Sequence, residues 1–598
     1  MKYNEFEVEL SNNKNIVSKE TKIFKNLGII KLFHVIFVIS MIFMIFTQRL
    51  NTILLITSII ISFLLIYFWF NQTKVKKNID HAKALTNVYE KQLDRISGAW
   101  VGFSDVGLEF SNPDHPYASD LDIIGKQSVF QFLNTTATRF GREQFARDLL
   151  FPNYTESEIY SRQIAIKELS EDLIFAANMQ VHFQKIGQHA GSKFLIKFLK
   201  ESKSFIQNQK FENILTYGPL ANIFIVGIIM LLRLHFLYPL ALISIIVQLF
   251  IWVIYIFKTQ KYLSDIDTIS YNLKEYATVL KMLEERNFDS PLLTNLQKKL
   301  SLQNLNDYIT ASSSIRDLSK IANRASIRRH LIPWMFLNSL FLFDIITAIN
   351  YNRWRKKYGL HVETWFNVLG HFESLISFSN LPNVISITTL PTITKQRNVL
   401  GTEVGHPLIT NKKRVNNDTN IKDAIHIISG SNMSGKTTYM RTVGLNMVLA
   451  KSGSFVCATE FSTYSADIIT SMRIADNLNE GASTFFVELK RLKKIIDCAK
   501  INPETFFLID EIFRGTNSVD RLSGAKSVLK KLEALDTLGM ITTHDLEMCQ
   551  LSKEIYRIKN FSFAEHYRDS EILFDYKLRD GVSLTTNAEF LMKMMEII

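Results

Sequence analysis

The chain has 598 residues, 47% of them hydrophobic and 21% charged, with a formal net charge of +12 at pH 7. That length exceeds what one core holds, which excludes a single-domain protein, and the three cysteines Cys457, Cys498 and Cys549 lie far apart without paired metal spacing, which excludes a disulfide framework and fits a reducing compartment. Residues 401–598 carry 25 Lys plus Arg against 25 Asp plus Glu, so the basic excess, 44 against 32, belongs to the first 400 residues; nucleic acid, an anionic membrane face and an ordinary solvated surface are all compatible with it.

Residues 1–28 are polar and hold Lys14, Lys19, Lys22 and Lys25. They lack the small-residue cleavage site of a signal peptide and read as a cytoplasmic N-terminal segment. Two apolar runs follow within 29–72: residues 32–46, broken only by His34 and Ser40, and Thr52 to Phe70, nineteen residues without a charge. At 1.5 Å per residue the second is long enough for a hydrocarbon core of about 30 Å. The linker, residues 47–51, permits only a hairpin. Lysines precede the pair and Lys74, Lys76 and Lys77 follow it, so the positive-inside rule sets both ends in the cytoplasm. A linker or helical segment at 73–119 leads into a helical stretch, 120–172.

A second apolar pair, Pro219 to Leu232 and Leu237 to Phe257, is joined by Arg233 to Phe236 and followed by Lys258 and Lys261. It is expected to form a second transmembrane hairpin, 219–257, giving a multi-pass protein with four crossings and the remaining domains cytoplasmic. Residues 262–330 have long-helix composition. The third apolar patch, Leu331 to Ile349, contains Asn338 and Asp344; one extra crossing would carry everything after it out of the cytoplasm, so a buried soluble helix is expected there.

The chemistry is concentrated in the last third. Ala424 to Ser429 reads as a short buried strand, and Thr438 to Lys451 as a helix. Between them Gly430, Ser431, Asn432, Met433, Ser434, Gly435, Lys436, Thr437 and Thr438 fit the phosphate-binding pattern G-x-x-x-x-G-K-[ST]. Two glycines let successive N–H groups converge on one anion, and the helix N-terminus adds its dipole. In that pattern Lys436 reaches the β- and γ-phosphates of ATP and the Thr437 hydroxyl holds Mg²⁺. Thr505 to Asp510 is an apolar strand ending in two carboxylates, Asp510 for the Mg²⁺ shell and Glu511 to polarise the attacking water. His544 follows another strand end and is a candidate γ-phosphate sensor. Ser483 and Thr484 open a helix where hydroxyls and backbone N–H groups meet an anion, or simply cap it.

Taken together, Gly430 to Arg441, Ser483 to Glu488, Asp510-Glu-Ile-Phe-Arg-Gly-Thr516 and Thr543-His544 resemble, in order, the ATPase domain of the MutS family of mismatch-repair proteins. Gly405-His-Pro-Leu408 resembles the entry to that domain, Phe574 to Gly581 its closing strands, and Gly125 to Leu169 the start of the family's helical lever. The resemblance implies a fold of an α/β P-loop ATPase domain (doubly wound, ABC-like, 401–598), preceded by a long all-α lever (120–400) that carries the transmembrane hairpins. It implies a homodimer in which Ser483 and Thr484 of one subunit approach the γ-phosphate held by the other. Ser431 stands where the family has proline, and Ser434 and Phe513 where it has glycine. The mismatch-reading and connector domains are replaced by a membrane hairpin, and the second hairpin occupies the kind of position where the DNA-gripping clamp is inserted. Two functions follow: an ATPase coupled to DNA, as in mismatch repair, or a membrane-embedded ATP-driven machine that touches lipid and no DNA.

Overall fold

The computed structural model describes residues 2–47, 52–187, 205–206, 208–304, 307–431, 433–473, 484–513, 518–568 and 571–582. In chain order the main helices are α1 (Tyr3–Thr47), α2 (Thr52–Ser97), α3 (Arg139–Leu150), α4 (Glu156–Glu171), α5 (Leu173–Ile186), α6 (Gln209–Leu231), α7 (Tyr238–Glu285), α8 (Ala311–Ala325), α9 (Leu331–Phe341), α10 (Phe343–Tyr358), α11 (Val362–Ser379), α12 (Lys436–Lys451), α13 (Thr484–Ile501) and α14 (Ser518–Ala534). The strands are β1 (Ser301–Asn304), β2 (Asp307–Thr310), β3 (Thr392–Ile393), β4 (Asn398–Val404), β5 (Asn417–Lys422), β6 (Ile425–Ser429), β7 (Glu460–Thr463), β8 (Asp467–Ser471), β9 (Thr505–Asp510), β10 (Leu538–Thr543), β11 (Ile558–Arg568) and β12 (Glu571–Asp580). The chain divides into two compact units, one of Met1–Asn134, Ala146–Val181 and Ile376–Ile598, the other of Thr135–Phe145 and His182–Leu375. Residues 146–181 and 376–400, read from sequence as part of the lever, thus group with the phosphate loop.

In the first unit a six-stranded sheet runs β12-β11-β6-β10-β9-β8. All neighbours from β11 to β8 are parallel, and β12 returns antiparallel on β11. The near-continuous apolar wording of β6 and β9 has its cause here, because every residue of both strands is buried. Phe507, Ile509, Ile427 and Ile541 form one core with Leu492 and Ile495 of α13 and Leu529 and Leu532 of α14. Leu508 points the other way, toward α12, where a Cβ on Gly444 would lie 2.6 Å from it. Helices therefore cover both faces, as a doubly wound sheet requires. A second, four-stranded sheet has the order β3-β7-β4-β5.

Helices α1 and α2 pair as a hairpin, with Lys14 bound to Glu90 at 2.9 Å and Lys31 to Gln72 at 2.7 Å. The lysine-rich start is not a separate segment: α1 runs unbroken for 45 residues, about 67 Å at 1.5 Å per residue and more than twice a hydrocarbon core. The polar half of α2 is tied into its unit by Gln92 to Asn380 at 2.7 Å and Arg95 to the Phe132 carbonyl at 2.6 Å. The connecting residues 48–51 lie outside the described residues, as do several side chains in the apolar run of α2.

The regular structure of the second unit is helical, among the described residues, apart from the β1–β2 hairpin. Gly141 of α3 and Gly370 of α11 allow close approach: an added Cβ would come within 2.7 Å of Glu373 in one case and 2.8 Å of the Phe140 carbonyl in the other. Buried Glu373 then accepts from the Ala137 and Thr138 backbone N–H groups at 2.8 and 3.0 Å, satisfying donors at the start of α3. Among the described residues three helical spans, Tyr3–Met41, Gln209–Leu231 and His235–Ser264, are long and apolar enough to cross a membrane, or four if a bent pair counts as one. That bent pair corrects an expectation. Leu331 to Ile349 is not one buried helix but α9 and α10, bent by 79° at Leu342, whose φ of 49° ends the first helix. Leu331, Ile332 and Phe336 are exposed, Ile332 by 81%.

Candidate nucleotide site

The site begins where β6 ends. Flanked by β10 and β11 on the two sides, β6 delivers the chain to the carboxyl edge of the parallel sheet, the place where such sheets bind ligands. Three of the loop's described residues have positive φ, Gly430 (145°), Met433 (73°) and Gly435 (107°). Space matters as well as dihedral, since a Cβ on Gly430 would meet the Ser434 hydroxyl at 2.9 Å and the Phe563 carbonyl at 3.1 Å. Ser434, the departure from glycine, donates its hydroxyl to the Ser431 carbonyl at 2.8 Å and is absorbed within the loop. Helix α12 starts at Lys436, two residues before the start expected from the sequence. Its first N–H groups therefore belong to Lys436, Thr437 and Thr438 themselves.

Lys436 is buried and its ammonium donates to the Gly430 and Ser431 carbonyls at 2.6 and 2.7 Å. Thr437 Oγ1 donates to both oxygens of Asp510, at 3.0 and 3.1 Å. Asp510 ends β9, and the Thr542 hydroxyl at the adjacent end of β10 also donates to it. Glu511 follows with φ of 51°, and its N–H bonds to the Thr542 carbonyl at 3.2 Å. That left-handed turn sends its carboxylate into the same cleft as Lys436 and Thr437. His544 Nδ1 lies 3.6 Å from Glu511 Oε2, and its Nε2 lies 3.4 Å from Arg521. His544 thus stands behind Glu511 and is not among the residues lining the cleft.

The cleft has a volume of about 440 Å³. Ser431, Met433, Gly435, Lys436, Thr437, Thr438 and Glu511 line its phosphate-binding end. Asn432 and Ser483 lie outside the described residues, as does the side chain of Thr484, the first residue of α13. The oxygen pair of Thr437 and Asp510 suits a hard cation such as Mg²⁺. His406, Ile409 and Tyr576, which the motif does not name, line the same cleft, and Tyr576 packs on the loop itself, its ring 3.1 Å from where a Cβ on Gly435 would lie. Asn417 fixes the last of them, donating to the Tyr576 carbonyl at 2.9 Å and accepting from the Leu578 N–H at 2.8 Å. Burial first, then Arg441 and Arg414, push the His406 pKa down to about 3, so its imidazole is neutral. Only segment likeness pointed this way in the sequence, because these residues come from stretches more than 150 positions apart.

Departure from glycine at Phe513 has a structural consequence. Phe513 keeps a positive φ of 58°, and its ring packs on Phe485 at 5.9 Å and against Gly524, where a Cβ would sit 2.6 Å from it. The buried Glu488 carboxylate of α13 accepts the Phe513 N–H.

Residues 426–594 match the profile of MutS domain V. The chain carries a MutS-family domain. The matched stretch starts in β6 and takes in the loop, Asp510, Glu511 and His544. Relatives agree: the DNA mismatch repair protein MutS of Methanococcoides burtonii is 34% identical over 203 residues, 32% of this chain and 23% of that protein. MutS protein homolog 4 of Mus musculus is 33% identical over 195 residues, 30% and 20% of the two chains. The MutS of Desulforapulum autotrophicum is 38% identical over 182 residues, again 30% and 20%. This chain thus spans about a fifth to a quarter of the length of the curated relatives it matches. His406 and Asn417 precede the domain V match and complete the MutS cleft from outside it.

Proposed function

We propose that the chain is a membrane-anchored MutS-type ATPase, which binds and hydrolyses ATP in a site completed by a second copy and couples that cycle to mismatched or branched DNA. The observation that carries the ATPase reading is the contact of Thr437 with Asp510, one step from Glu511, beside a loop whose lysine is already buried. Lys436 holds two loop carbonyls; with nucleotide it exchanges them for β- and γ-phosphate oxygens, a stronger charge-assisted bond. Mg²⁺, when bound, draws charge from the phosphate oxygens, and Thr437 with Asp510 would hold it. Glu511 accepts a hydrogen bond from the attacking water and orients it. His544 keeps that carboxylate in position. The neutral His406 and Ile409, which line the same cleft, offer the contacts for the adenine ring.

In this reading α1, α2, α6 and α7 are four membrane crossings, both hairpins open toward the cytoplasm, and lipid surrounds their exposed apolar faces. DNA enters from the names of the relatives, which are mismatch-repair proteins. A second reading, an ATP-driven membrane machine without DNA, is favoured by one observation: these relatives match only 30–32% of the chain, and the helical region carries an apolar hairpin. Binding of duplex and four-way-branched DNA by the detergent-solubilised protein across a salt series separates the two. The first expects affinity that falls steeply with salt and changes with ATP. Absence of binding at about 50 mM salt, where phosphate contacts are strongest, overturns it in favour of the second.

A further inference from the structure

We infer that α9 and α10 form a re-entrant element, which dips from the cytoplasmic side to mid-bilayer and returns, with the exposed face of α9 against the acyl chains of the cytoplasmic leaflet. The inference rests on the reading of α6 and α7 as a membrane hairpin. Its first support is depth. Along α7, side by side and antiparallel, Thr259 receives Arg328 at 3.2 Å, Trp252 meets Trp334 at 5.5 Å, and Gln248 reaches the Ser339 and Leu340 carbonyls at 2.9 and 2.7 Å. Gln248 lies at the centre of the uncharged run 237–257, and Thr259 is eleven residues nearer the cytoplasmic end, about 16 Å along a helix and half a hydrocarbon core. Helix α9 therefore climbs to the midplane and stops. Helix α10 then goes back: Tyr351 packs on Tyr262 at 5.6 Å, Asn352 bonds to the Tyr262 hydroxyl at 3.2 Å, and Arg353 pairs with Glu212 at the start of α6 at 2.5 Å. Both ends thus lie level with the start of α6 and with the cytoplasmic end of the uncharged run of α7.

The second support is the chemistry of the break. A helix interrupted in hydrocarbon leaves carbonyls and N–H groups that cost several kcal/mol each unless protein satisfies them. Here buried amides do so. Gln248 caps the carbonyls at the end of α9 and is held by Asn222 at 3.0 Å. The wholly buried Asn338 side chain accepts the Asp344 N–H at 2.9 Å, while the Asn338 backbone carbonyl takes the Leu342 N–H at 3.0 Å as the last bond of α9. The third support is the outward face: Leu331, Ile332, Met335 and Phe336 are exposed at i, i+1, i+4 and i+5, one stripe of α9. Arg328 and Trp334 instead turn inward to Asp344, at 3.2 and 2.8 Å, keeping its charge off that stripe.

Single cysteines at His330, Lys356 and His235 in a cysteine-free full-length chain, reconstituted in phosphatidylcholine vesicles, test the path with a membrane-impermeant maleimide. His330→Cys and Lys356→Cys are expected to react from the ATPase side and His235→Cys from the other. In parallel the unmodified chain, photolabelled with phosphatidylcholine bearing an acyl-chain diazirine, is expected to carry adducts on residues 331–336 as it does on α6 and α7. Reaction of His330→Cys and Lys356→Cys from opposite sides makes the pair a span and overturns the inference. Adducts on α6 and α7 with none on 331–336 remove α9 from lipid and overturn it too. Reaction of His235→Cys from the ATPase side instead brings down the hairpin reading beneath it.

Discussion

Lys436 is the residue on which the rest of the cleft converges. Its ammonium is buried and held by two carbonyls, so Lys436→Ala removes both a loop staple and the charge aimed at the phosphates. The loss of a charge-assisted contact of about 1.5–3 kcal/mol predicts an ATP Kd raised roughly 10- to 100-fold, measured by fluorescent-nucleotide titration; unchanged binding would remove the loop from the site. Glu511→Gln separates binding from chemistry. The amide keeps the left-handed turn and leaves Asp510 and Thr437 in place, so nucleotide affinity is retained while turnover falls by about 10²–10⁴-fold. Wild-type turnover in that variant would transfer the role elsewhere, with His544 first in line. At His426, the second residue of β6, both ring nitrogens lack hydrogen-bond partners and the ring lies on Phe561 at 4.4 Å. Burial pushes its pKa from 6.5 to about 3, below the unfolded value. Stability is therefore full above about pH 6.5 and is lost as pH falls toward 3, because the unfolded chain binds a proton the fold rejects. His426→Leu is expected to flatten that acid limb in thermal unfolding between about pH 7 and 4 and to be neutral or stabilising by about 1 kcal/mol near neutral pH. An unaltered acid limb would clear His426 of that role. The phosphate end of the cleft was legible because its residues are contiguous and their spacing is dictated by an anion. The part played by His406 and Tyr576 was not, because β12 and the segment around β5 belong to different sheets and only packing, with Asn417 bonded to the β12 backbone, brings them together.

At the level of elements, apolar runs foretold helices but not where they break or how far they extend. Nothing in Leu331 to Ile349 marks Leu342 as a left-handed residue; Asn338 marks it only once its side chain is seen accepting the Asp344 N–H across the break. Likewise the polar start of α1 carries no stop signal, and its helix simply continues. Phe513, a departure from the family's glycine, was visible as a letter change but not as a packing feature. Its ring fills the gap against Gly524 and Phe485 at the expense of a positive φ. Phe513→Gly is expected to destabilise the nucleotide-free protein by about 2 kcal/mol: the lost aromatic packing, roughly 3–5 kcal/mol, exceeds the roughly 1–2 kcal/mol of left-handed strain released. Denaturant unfolding monitored in the MutS domain measures it, and a stabilised variant would show that the strain outweighs the packing.

For the whole molecule the question is whether one chain makes a complete site. A single chain supplies the loop, Asp510, Glu511 and the cleft residues His406, Ile409 and Tyr576, all within one unit, and no described residue of α13 lines the cleft. The resemblance to the MutS ATPase domain implies that the hydroxyls of Ser483 and Thr484 serve the γ-phosphate of a second copy. If so, two kinds of broken protein are complementary. Lys436→Ala lacks the loop charge but keeps its α13 start, and the double variant Ser483→Ala, Thr484→Ala keeps the loop but lacks the hydroxyls. Each alone is expected to be inactive. Mixed in equal amounts and allowed to exchange subunits, random pairing makes half of the dimers heterodimers, and each heterodimer has one of its two sites intact. The mixture should therefore recover about a quarter of the wild-type ATPase rate if sites act independently, and less if both must fire together. Subunit exchange is verified beforehand by energy transfer between differently labelled copies, so that exchanged mixtures with no recovered activity would mean that each chain hydrolyses ATP by itself.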